Sequence, residues 1–222
     1  ENAEVIRIKL PEAIVTGWSE NVTGEQEADI TAAIHKAAAV VIGPGLGQEA
    51  GAERLLDLVL QEAKKLPELP VVIDADGLNL LAKKGLYSTL GRQYVLTPHL
   101  REMSRLSGKS VQEIADDMTS AVMGQQAGAT IVLKDARTLV SDGDWLYINL
   151  SGNSALSTGG SGDVLSGMIG GLLAQGCTQR TAATLAVYMH GLTADQYCES
   201  APPHCMLARD ILEMIPKIGG NS

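Results

Sequence analysis

Short runs of β-branched residues alternate with helical patterns along this chain, and this alternation limits the possible fold more than any other feature. Four runs have the length of buried strands: AVVI (39–42), PVVI (70–73), QYVL (93–96) and TIVL (130–133). Helical patterns lie before or between them, at 27–38, 52–65, 78–84 and 110–126. Strands joined by helical crossovers run parallel and are covered on both faces, so we expect an α/β fold with a mostly parallel sheet.

Further patterns complete this expectation. The segment TLVSDGDWLYINL, from Thr138 onward, contains two strands joined by an Asp-Gly turn, which predicts an antiparallel hairpin at the flank of the sheet. EVIRIKL (Glu4–Leu10) alternates like one more strand, and Ser110 with Glu113 matches a capping box for a helix up to Gln126. No repeat or low-complexity linker divides residues 1–222, so we expect a single domain. The chain begins with Glu1 rather than Met, which favours a fragment or a processed product.

Composition excludes several classes of function. The net charge is −9, from 17 basic and 26 acidic residues, with no Lys/Arg block, and Phe is absent. Nucleic acid and acidic membrane surfaces are therefore poor partners. The three cysteines show no CxxC spacing, which argues against zinc and disulfides and favours a reducing, cytoplasmic location. No apolar run reaches the length of a membrane span.

Polar or glycine-rich segments follow all four predicted parallel strands. They are GPGLG (43–47), DADGLN (74–79), TPH (97–99) with Glu102 nearby, and KDART (134–138). Ligands of open parallel sheets bind beyond the carboxyl ends of the strands, so the set predicts the rim of a site. Each segment also has a structural interpretation: a tight turn for GPGLG, a helix N-cap at Asp76, a loop histidine at His99, and a solvated rather than phosphate-binding Lys134.

The stretch STGGSGD (157–163) is the strongest single signal. Its glycines precede a helix with an apolar stripe, an arrangement that predicts an anion hole formed by Gly159, Gly160, Ser161 and Gly162. It lacks the Gly-Lys-Ser/Thr of a Walker A loop and the spacing of a dinucleotide fingerprint. Asp163 would repel a phosphate as a ligand, but as a base beside a transferring phosphoryl group it suits the chemistry. The alternative is an ordinary acidic residue in the first turn of a helix.

The helix after STGGSGD contains an unusual number of small residues. Gly167, Gly170 and Gly171 cost helix stability, so we expect close packing against a neighbour, for which the Ala-rich helix from Thr181 to about Asp195 is the obvious candidate. His35 and His190 lie on predicted helices with apolar neighbours, and we interpret both as structural.

Taken in order, VVIGPGLG, PVVIDADGLNLLA, VLTPHLREMSRL, IVLKDARTLV and GNSALSTGGSGDVLSGMIGGLLAQG, followed by AVYMHGLTAD, resemble the ADP/ATP-dependent NAD(P)H-hydrate dehydratases. These form the carbohydrate-kinase-related (YjeF C-terminal-like) branch of the ribokinase-like superfamily. The resemblance implies a three-layer αβα sandwich. It also implies a repair reaction, in which ADP or ATP phosphorylates the ring hydroxyl of hydrated NADH or NADPH and phosphate is then eliminated.

The resemblance also implies roles for individual residues. Gly45, His99 and Asp163 would contact the hydrated dinucleotide, with Asp163 as the catalytic base. The adenine nucleotide would lie against Lys134, Asp135, Ala136, Arg137, Thr138 and Gly162, with Asn153 nearby. Mg²⁺ would be held mainly by phosphates, with no protein ligand named, and the family implies a homotetramer.

Three departures from the family pattern bear on these roles. Leu100-Arg101 stands where the family has Pro-Gly after TPH, and Asp135 stands where it has Gly after the lysine. The family's N-terminal Gly-rich strand–helix unit is expected to be missing. A ribokinase-like kinase of a small alcohol and a non-catalytic adenine-nucleotide-binding protein remain alternatives, and the residues leave the choice between ADP and ATP open.

Overall fold

A six-stranded sheet forms the centre of the structure, a computed structural model that describes residues 3–18, 22–124 and 128–218. The first four strands pair in parallel and the last two pair antiparallel, in chain order across the sheet. They are β1 (Val40–Ile42), β2 (Val71–Ile73), β3 (Tyr94–Leu96), β4 (Thr130–Leu133), β5 (Leu139–Ser141) and β6 (Leu146–Ile148). The predicted parallel sheet with a flanking hairpin is confirmed.

Ten α-helices lie among the described residues. They are α1 (Ala3–Lys9), α2 (Gly24–Lys36), α3 (Ala50–Lys65), α4 (Ala75–Lys84), α5 (Leu100–Ser107), α6 (Val111–Asp116), α7 (Met118–Met123), α8 (Ser161–Ala174), α9 (Gln179–Cys198) and α10 (Ala208–Met214). Short 3₁₀ turns lie at Tyr87–Thr89, Ser154–Leu156, Pro203–Cys205 and Ile215–Lys217.

The helices cover the two faces of the sheet, as the alternation of buried side chains along each strand requires. Ile73 of β2 belongs to a cluster that includes side chains of α3, α4 and α5. Its neighbour Val72 points to the opposite face and belongs to a second cluster, with Ile169 of α8 and Ala186 of α9. The result is the three-layer αβα arrangement, with residues of β2 and β3 buried on both sides.

The strand predicted at Glu4–Leu10 is wrong, because residues 3–9 form α1. No described strand lies beside this segment, and a helix satisfies its backbone groups without a partner. Glu4 in its first turn and Arg7 and Lys9 in its last turn also match the helix dipole. The apolar side chains that produced the alternation are exposed.

The helix predicted from Ser110 to Gln126 begins as expected but is divided in two. Ser110 and Glu113 form the predicted capping box. At Asp117 the backbone leaves the helical region (φ −144°, ψ 75°), and the Asp117 carboxylate accepts from Ser120 N at 2.9 Å to start α7. A side chain that caps a new helix competes with continuation of the old one. Gln126 lies outside the described residues.

Of the α8 glycines, Gly170 packs closely, and its close neighbour is β1 rather than the expected α9. A Cβ added at Gly170 would lie 2.3 Å from Val41 Cγ2, whereas Gly167 and Gly171 meet no described atom within 4 Å. α8 and α9 do pack together, but through Ile169, Ala186 and their larger neighbours. Within the part of the chain that the structure describes, no helix is long and apolar enough to cross a membrane.

Candidate active site

The carboxyl ends of the four parallel strands lie at one edge of the sheet, which we call the rim. Ile42 is in register with Ile73, and Ile73 with Leu96, so the segments that follow these strands start side by side. Lys134 donates its backbone N–H to Pro98 O at 2.8 Å, which joins the segments after β3 and β4. The predicted rim is therefore formed.

The N-terminal turns of α8 reach this rim. Ser166 Oγ donates a short hydrogen bond to Asp74 Oδ2. The Lys134 Nζ lies 3.3 Å from the point that a Cβ would occupy at Gly162. We call Asp74, Lys134 and residues 157–166 the α8 side of the rim. This side brings together three segments that are far apart in the sequence: the ends of β2 and β4 and the start of α8.

Asp163 lies in the first turn of α8, and its side chain is exposed. The helix is preceded by Gly160, whose φ of +86° favours glycine and whose added Cβ would lie 3.2 Å from Ala208 Cβ. Gly162 has no such backbone requirement, and the space above its Cα is taken by the Lys134 ammonium. An added Cβ at Gly159 would meet no described atom within 4 Å. The anion hole predicted at 159–162 is compatible with this open loop and stays a prediction.

Lys134 is anchored by an ion pair beneath the rim. Its Nζ donates to Asp74 Oδ1 at 2.8 Å, and the Asp74 side chain is only 1% exposed. Asp74 Oδ1 also accepts from Ala75 N at 2.8 Å, while Asp74 Oδ2 accepts from Ser166. Thr97 Oγ1 lies 3.4 Å from Ser166 Oγ and completes a buried polar group. Lys134 is thus neither freely solvated nor fully enclosed, since its side chain remains 21% exposed.

His190 holds the start of α8 from the α9 side, and its predicted structural role agrees with this position. Its Nε2 lies 3.1 Å from both the carbonyl oxygen and the hydroxyl of Ser161. A carbonyl can only accept, so we assign the ring proton to Nε2. Burial lowers the pKa of His190 from 6.5 to about 4, against the opposing effect of the Ser161 carbonyl. The ring is therefore neutral at physiological pH.

The remaining residues predicted to bind the adenine nucleotide follow β4 or precede the glycine-rich loop. Asp135, Ala136 and Arg137 are exposed and Thr138 is half-buried. Asn153 is bound within the protein at both ends of its amide. Its Oδ1 accepts from Ala155 N at 3.0 Å and its Nδ2 donates to Asp195 Oδ1 at 2.9 Å. These two bonds indicate that Asn153 orients the segment that leads to STGGSGD.

In another part of the rim, the loop after β1 is held by glycine conformations and by α4. We call residues 43–47, Asp76 and His99 the GPGLG side. Asp76 does not cap α4, because Asp74 is the N-cap; instead its carboxylate accepts from Gly47 N at 3.0 Å and from Gln48 Nε2 at 3.3 Å. Gly45 has a φ of +64°, and an added Cβ there would meet no described atom within 4 Å.

His99 is both the N-cap of α5 and an accessible donor. Its Nδ1 accepts from Arg101 N at 3.1 Å and from Glu102 N at 3.2 Å, while Glu102 Oε2 accepts from His99 N at 2.8 Å. Because Nδ1 accepts, the proton of the neutral ring is on Nε2. The side chain is 48% exposed. The loop interpretation and the binding interpretation of His99 are therefore compatible.

Four residues that organise this site were not among the predicted site residues: Asp74, Ser166, His190 and Asp195. Asp74 carried a usable signal, since it follows a buried strand. Ser166 and His190 resemble ordinary helix-interior residues, and only the packing of α8 and α9 on the sheet gives them polar partners. Asp195 accepts from Gly152 N at 2.8 Å, a contact across 43 residues that no local pattern indicates.

The arrangement is suited to phosphoryl chemistry. The Lys134 ammonium, the loop amides and the positive end of α8 can stabilise phosphate charge. The Asp163 carboxylate lies one residue beyond Gly162 and can take a proton from a hydroxyl bound at the rim. Such a set needs an anionic phosphoryl donor and a hydroxyl acceptor.

Comparison with known proteins agrees with this chemistry. The family model described as NAD(P)H-hydrate dehydratase matches residues 1–217. The chain is 42% identical, over 198 residues, to the ADP-dependent (S)-NAD(P)H-hydrate dehydratase of Neisseria meningitidis serogroup B. That match covers 86% of this chain and 65% of the relative, so the chain spans less than two thirds of the length of that protein.

Solved structures share the fold. A ribokinase-like superfamily protein from Enterococcus faecalis V583 superposes with a TM-score of 0.84 at 30% identity, covering 98% of this chain and 72% of the other. The ADP/ATP-dependent NAD(P)H-hydrate dehydratase of Bacillus subtilis, co-crystallised with ATP/Mg²⁺, gives a TM-score of 0.75 at 28% identity, covering 97% and 74%. The predicted three-layer ribokinase-like fold is confirmed.

Proposed function

Because the chain belongs to the NAD(P)H-hydrate dehydratase family, we propose that it converts hydrated NADH or NADPH back to the reduced dinucleotide at the expense of ADP. The observation that carries the proposal is the meeting of Lys134 with the first turn of α8. Its Nζ lies 3.3 Å from the Cβ position of Gly162, next to Asp163. A cation and a helix N-terminus thus meet at the rim, and an exposed carboxylate lies one residue further along the helix.

The first chemical step is phosphorylation of the ring hydroxyl. Asp163 takes the proton of that hydroxyl as its oxygen attacks the terminal phosphorus of ADP, and AMP leaves. Lys134 and the amides of Gly159 to Gly162 stabilise the negative charge that develops on the phosphoryl group. This placement explains why a carboxylate follows a phosphate-binding loop: it faces the acceptor rather than the donor.

The second step is elimination. Hydroxide is a poor leaving group, whereas a phosphate ester leaves readily when the lone pair of the ring nitrogen supplies the electrons. The C–O bond breaks to release inorganic phosphate, and loss of a proton from the adjacent ring carbon restores the double bond. In this proposal Gly45 and His99 hold the hydrated ring, and the His99 Nε2–H donates to it.

Residues 135–138 and Asn153 complete the adenine-nucleotide site in this proposal. Mg²⁺ would neutralise phosphate charge. The described residues contain no group of three or more His, Cys, Asp or Glu side chains that could hold a metal ion. The proposal therefore has Mg²⁺ take its ligands from the nucleotide, as Mg²⁺ at phosphates commonly does.

The proposal also includes a homotetramer in the cytosol. Exposed Ile148, Leu150 and Tyr188 support an interface between copies. Ser151 Oγ donates to Tyr188 O at 2.9 Å, which brings the segment after β6 close to α9 in this area. Three free cysteines support a reducing compartment. Light scattering on a sizing column measures the oligomeric state.

The test is recovery of reduced-nicotinamide absorbance from hydrated NADH with Mg²⁺ and either ADP or ATP. We expect recovery with ADP, and a loss of about 10²- to 10⁴-fold in kcat for Asp163→Asn, because a general base is removed. The control is ADP binding to Asp163→Asn, measured by calorimetry. We expect this binding to persist, because an isosteric amide replaces an exposed carboxylate.

The other outcomes identify the rival functions. A phosphorylated product without recovery of absorbance would indicate a ribokinase-like kinase of a small alcohol. ADP binding without any turnover would indicate a non-catalytic adenine-nucleotide-binding protein. Unchanged turnover in Asp163→Asn would remove the proposed mechanism.

A further inference from the structure

We propose that Asp74 is a positioning residue, which holds the Lys134 ammonium against the first turn of α8 so that it binds the terminal phosphate of the adenine nucleotide. The identity of the ligand rests on the proposed function. The positioning rests on the contacts of Asp74 with Lys134 after β4, with Ala75 of α4 and with Ser166 of α8.

The Asp74 carboxylate is almost completely buried. Its side chain is 1% exposed and its partner Lys134 is 21% exposed. A buried ion pair is weak evidence for stability, because desolvation of the charges offsets much of their attraction. We therefore explain the buried Asp74 carboxylate by its effect on Lys134, whose ammonium it holds in place.

The Lys134 ammonium lies against the first turn of α8. Its Nζ is in close contact with the position that a side chain at residue 162 would begin from, 3.3 Å from the ideal Cβ. A cation beside a helix N-terminus is unfavourable, since the dipole presents its positive end there. Without Asp74, the long lysine side chain would turn away from α8 toward solvent. With Asp74 in place, the ammonium and the loop amides can bind the same anion.

The Asp74 carboxylate is itself held in one orientation. Each of its oxygens has separate partners: Oδ1 accepts from Lys134 Nζ and Ala75 N, and Oδ2 accepts from Ser166 Oγ. Ser166 is completely buried. Its bond to Asp74 spans 92 residues and links β2 to α8. The helix that carries Asp163 and the carboxylate that holds Lys134 are therefore fixed to each other.

Two other ionisable residues belong to the elements packed around this pair. His190 of α9 is close enough to Lys134 for their charges to interact, and it is neutral because burial lowers its pKa to about 4. Asp163 lies beside Gly162 on α8 but is exposed. Asp74 is consequently the buried anion that balances the ammonium before a nucleotide binds.

The experiment compares ADP binding, by calorimetry, to the wild-type chain and to Asp74→Asn. An effect of net charge and an effect of positioning would change the dissociation constant for ADP in opposite directions. Removing a negative charge next to a phosphate site strengthens binding if charge alone decides. We expect instead that the dissociation constant for ADP rises about tenfold, because Lys134 loses the charged partner that holds it. An equal or lower dissociation constant would overturn the inference.

Three comparisons separate positioning from general damage. Adenosine, which has no phosphate, is expected to bind both proteins equally. Lys134→Met is expected to weaken ADP binding as well, and the double variant Asp74→Asn with Lys134→Met no further than Lys134→Met alone. Asp142→Asn is a matched control, because Asp142 pairs with Arg180 at the end of the sheet opposite the rim. Loss of adenosine binding, or additive effects in the double variant, would count against the inference.

Turnover distinguishes this inference from the proposed function. If the wild type binds ADP but does not dehydrate the hydrated dinucleotide, and Asp74→Asn weakens that binding, the inference stands and the proposed reaction falls. If the wild type does not bind ADP, the assignment of Lys134 to a nucleotide phosphate falls with the proposed function.

Discussion

The two sides of the rim are built by different means. On the α8 side, polar side chains bond across the fold: Asp74 with Ser166, 92 residues apart, and Asp74 with Lys134, 60 residues apart. On the GPGLG side, glycine conformations combine with side-chain bonds of shorter range: Asp76 accepts from Gly47 N and from Gln48 Nε2, 29 and 28 residues away. The ring of His99, for example, accepts from two amides of its own helix start, two and three positions away.

This difference fits the two ligands of the proposed reaction. A phosphoryl group needs charges and dipoles that are already in place when the transition state forms, because their reorganisation would cost energy. Long-range buried bonds provide such rigidity. The acceptor needs space and a few donors, which an open loop with Gly45 and the exposed His99 provides. The comparison predicts that damage to the α8 side depends on the whole fold, whereas damage to the GPGLG side stays local.

The largest expected effect comes from Gly43, where the two sides meet. A Cβ at Gly43, which has a φ of +124°, would lie 1.8 Å from Asp74 O, whereas Gly45 at +64° has open space. We expect Gly43→Ala to lower the free energy of unfolding by at least about 3 kcal/mol and to weaken ADP binding. The matched Gly45→Ala is expected to cost between about 1 and 2 kcal/mol, with ADP binding unchanged. Urea unfolding and calorimetry measure both, and equal effects at the two positions would contradict the close approach at Asp74.

The next effect concerns His190 of α9, which is buried against Ser161 of the α8 side. Its folded-state pKa of about 4 lies below the ordinary 6.5, so the unfolded chain binds the proton first as pH falls. The contribution of neutral His190 is complete above pH 6.5 and is lost as pH falls toward 4, by about 2 kcal/mol at pH 5. His190→Gln keeps a donor for Ser161 O but cannot titrate. We expect urea unfolding at pH 7.5 and 5.0 to show a pH dependence smaller by that amount in the variant. The same pH dependence in both proteins would mean that the ring is not held neutral.

The smallest effect tests the local construction of the GPGLG side. His99→Asn retains an acceptor for the N-terminal amides of α5, whereas His99→Ala removes it. We expect Ala to lower the free energy of unfolding by about 1 kcal/mol and Asn to leave it nearly unchanged. Both variants lose the Nε2–H donor, so the KM for the hydrated dinucleotide is expected to rise in both while ADP affinity stays constant. An ADP affinity that falls in either variant would show that the two sides are not separate.

Local patterns were sufficient for much of the fold. β-branched runs identified all four parallel strands, and the Asp-Gly turn identified the hairpin, because these signals act through nearest neighbours. The Glu4–Leu10 pattern failed because alternation specifies a strand only where a partner strand is available. The helix after Ser110 was predicted too long because Asp117 is able both to continue a helix and to cap a new one.

The site was predictable only in part, for a related reason. STGGSGD, Lys134 and His99 lie at strand or helix ends, where residue type and position already suggest chemistry. The groups that hold them do not. Ser166 and His190 lie inside helices, and their polar partners come from β2 and from the start of α8. Such contacts exist only once α8 and α9 have packed on the sheet.

The contact between α8 and β1 restricts which residues can stand together at positions 41 and 170. With Val at 41 and Gly at 170, the two positions share one fixed volume, since a single carbon added at 170 would overlap the valine methyl group. A larger residue at one position is tolerable only with a smaller one at the other. Among homologous sequences we therefore expect the two positions to change together, as a correlated pair, although they lie 129 positions apart in the chain.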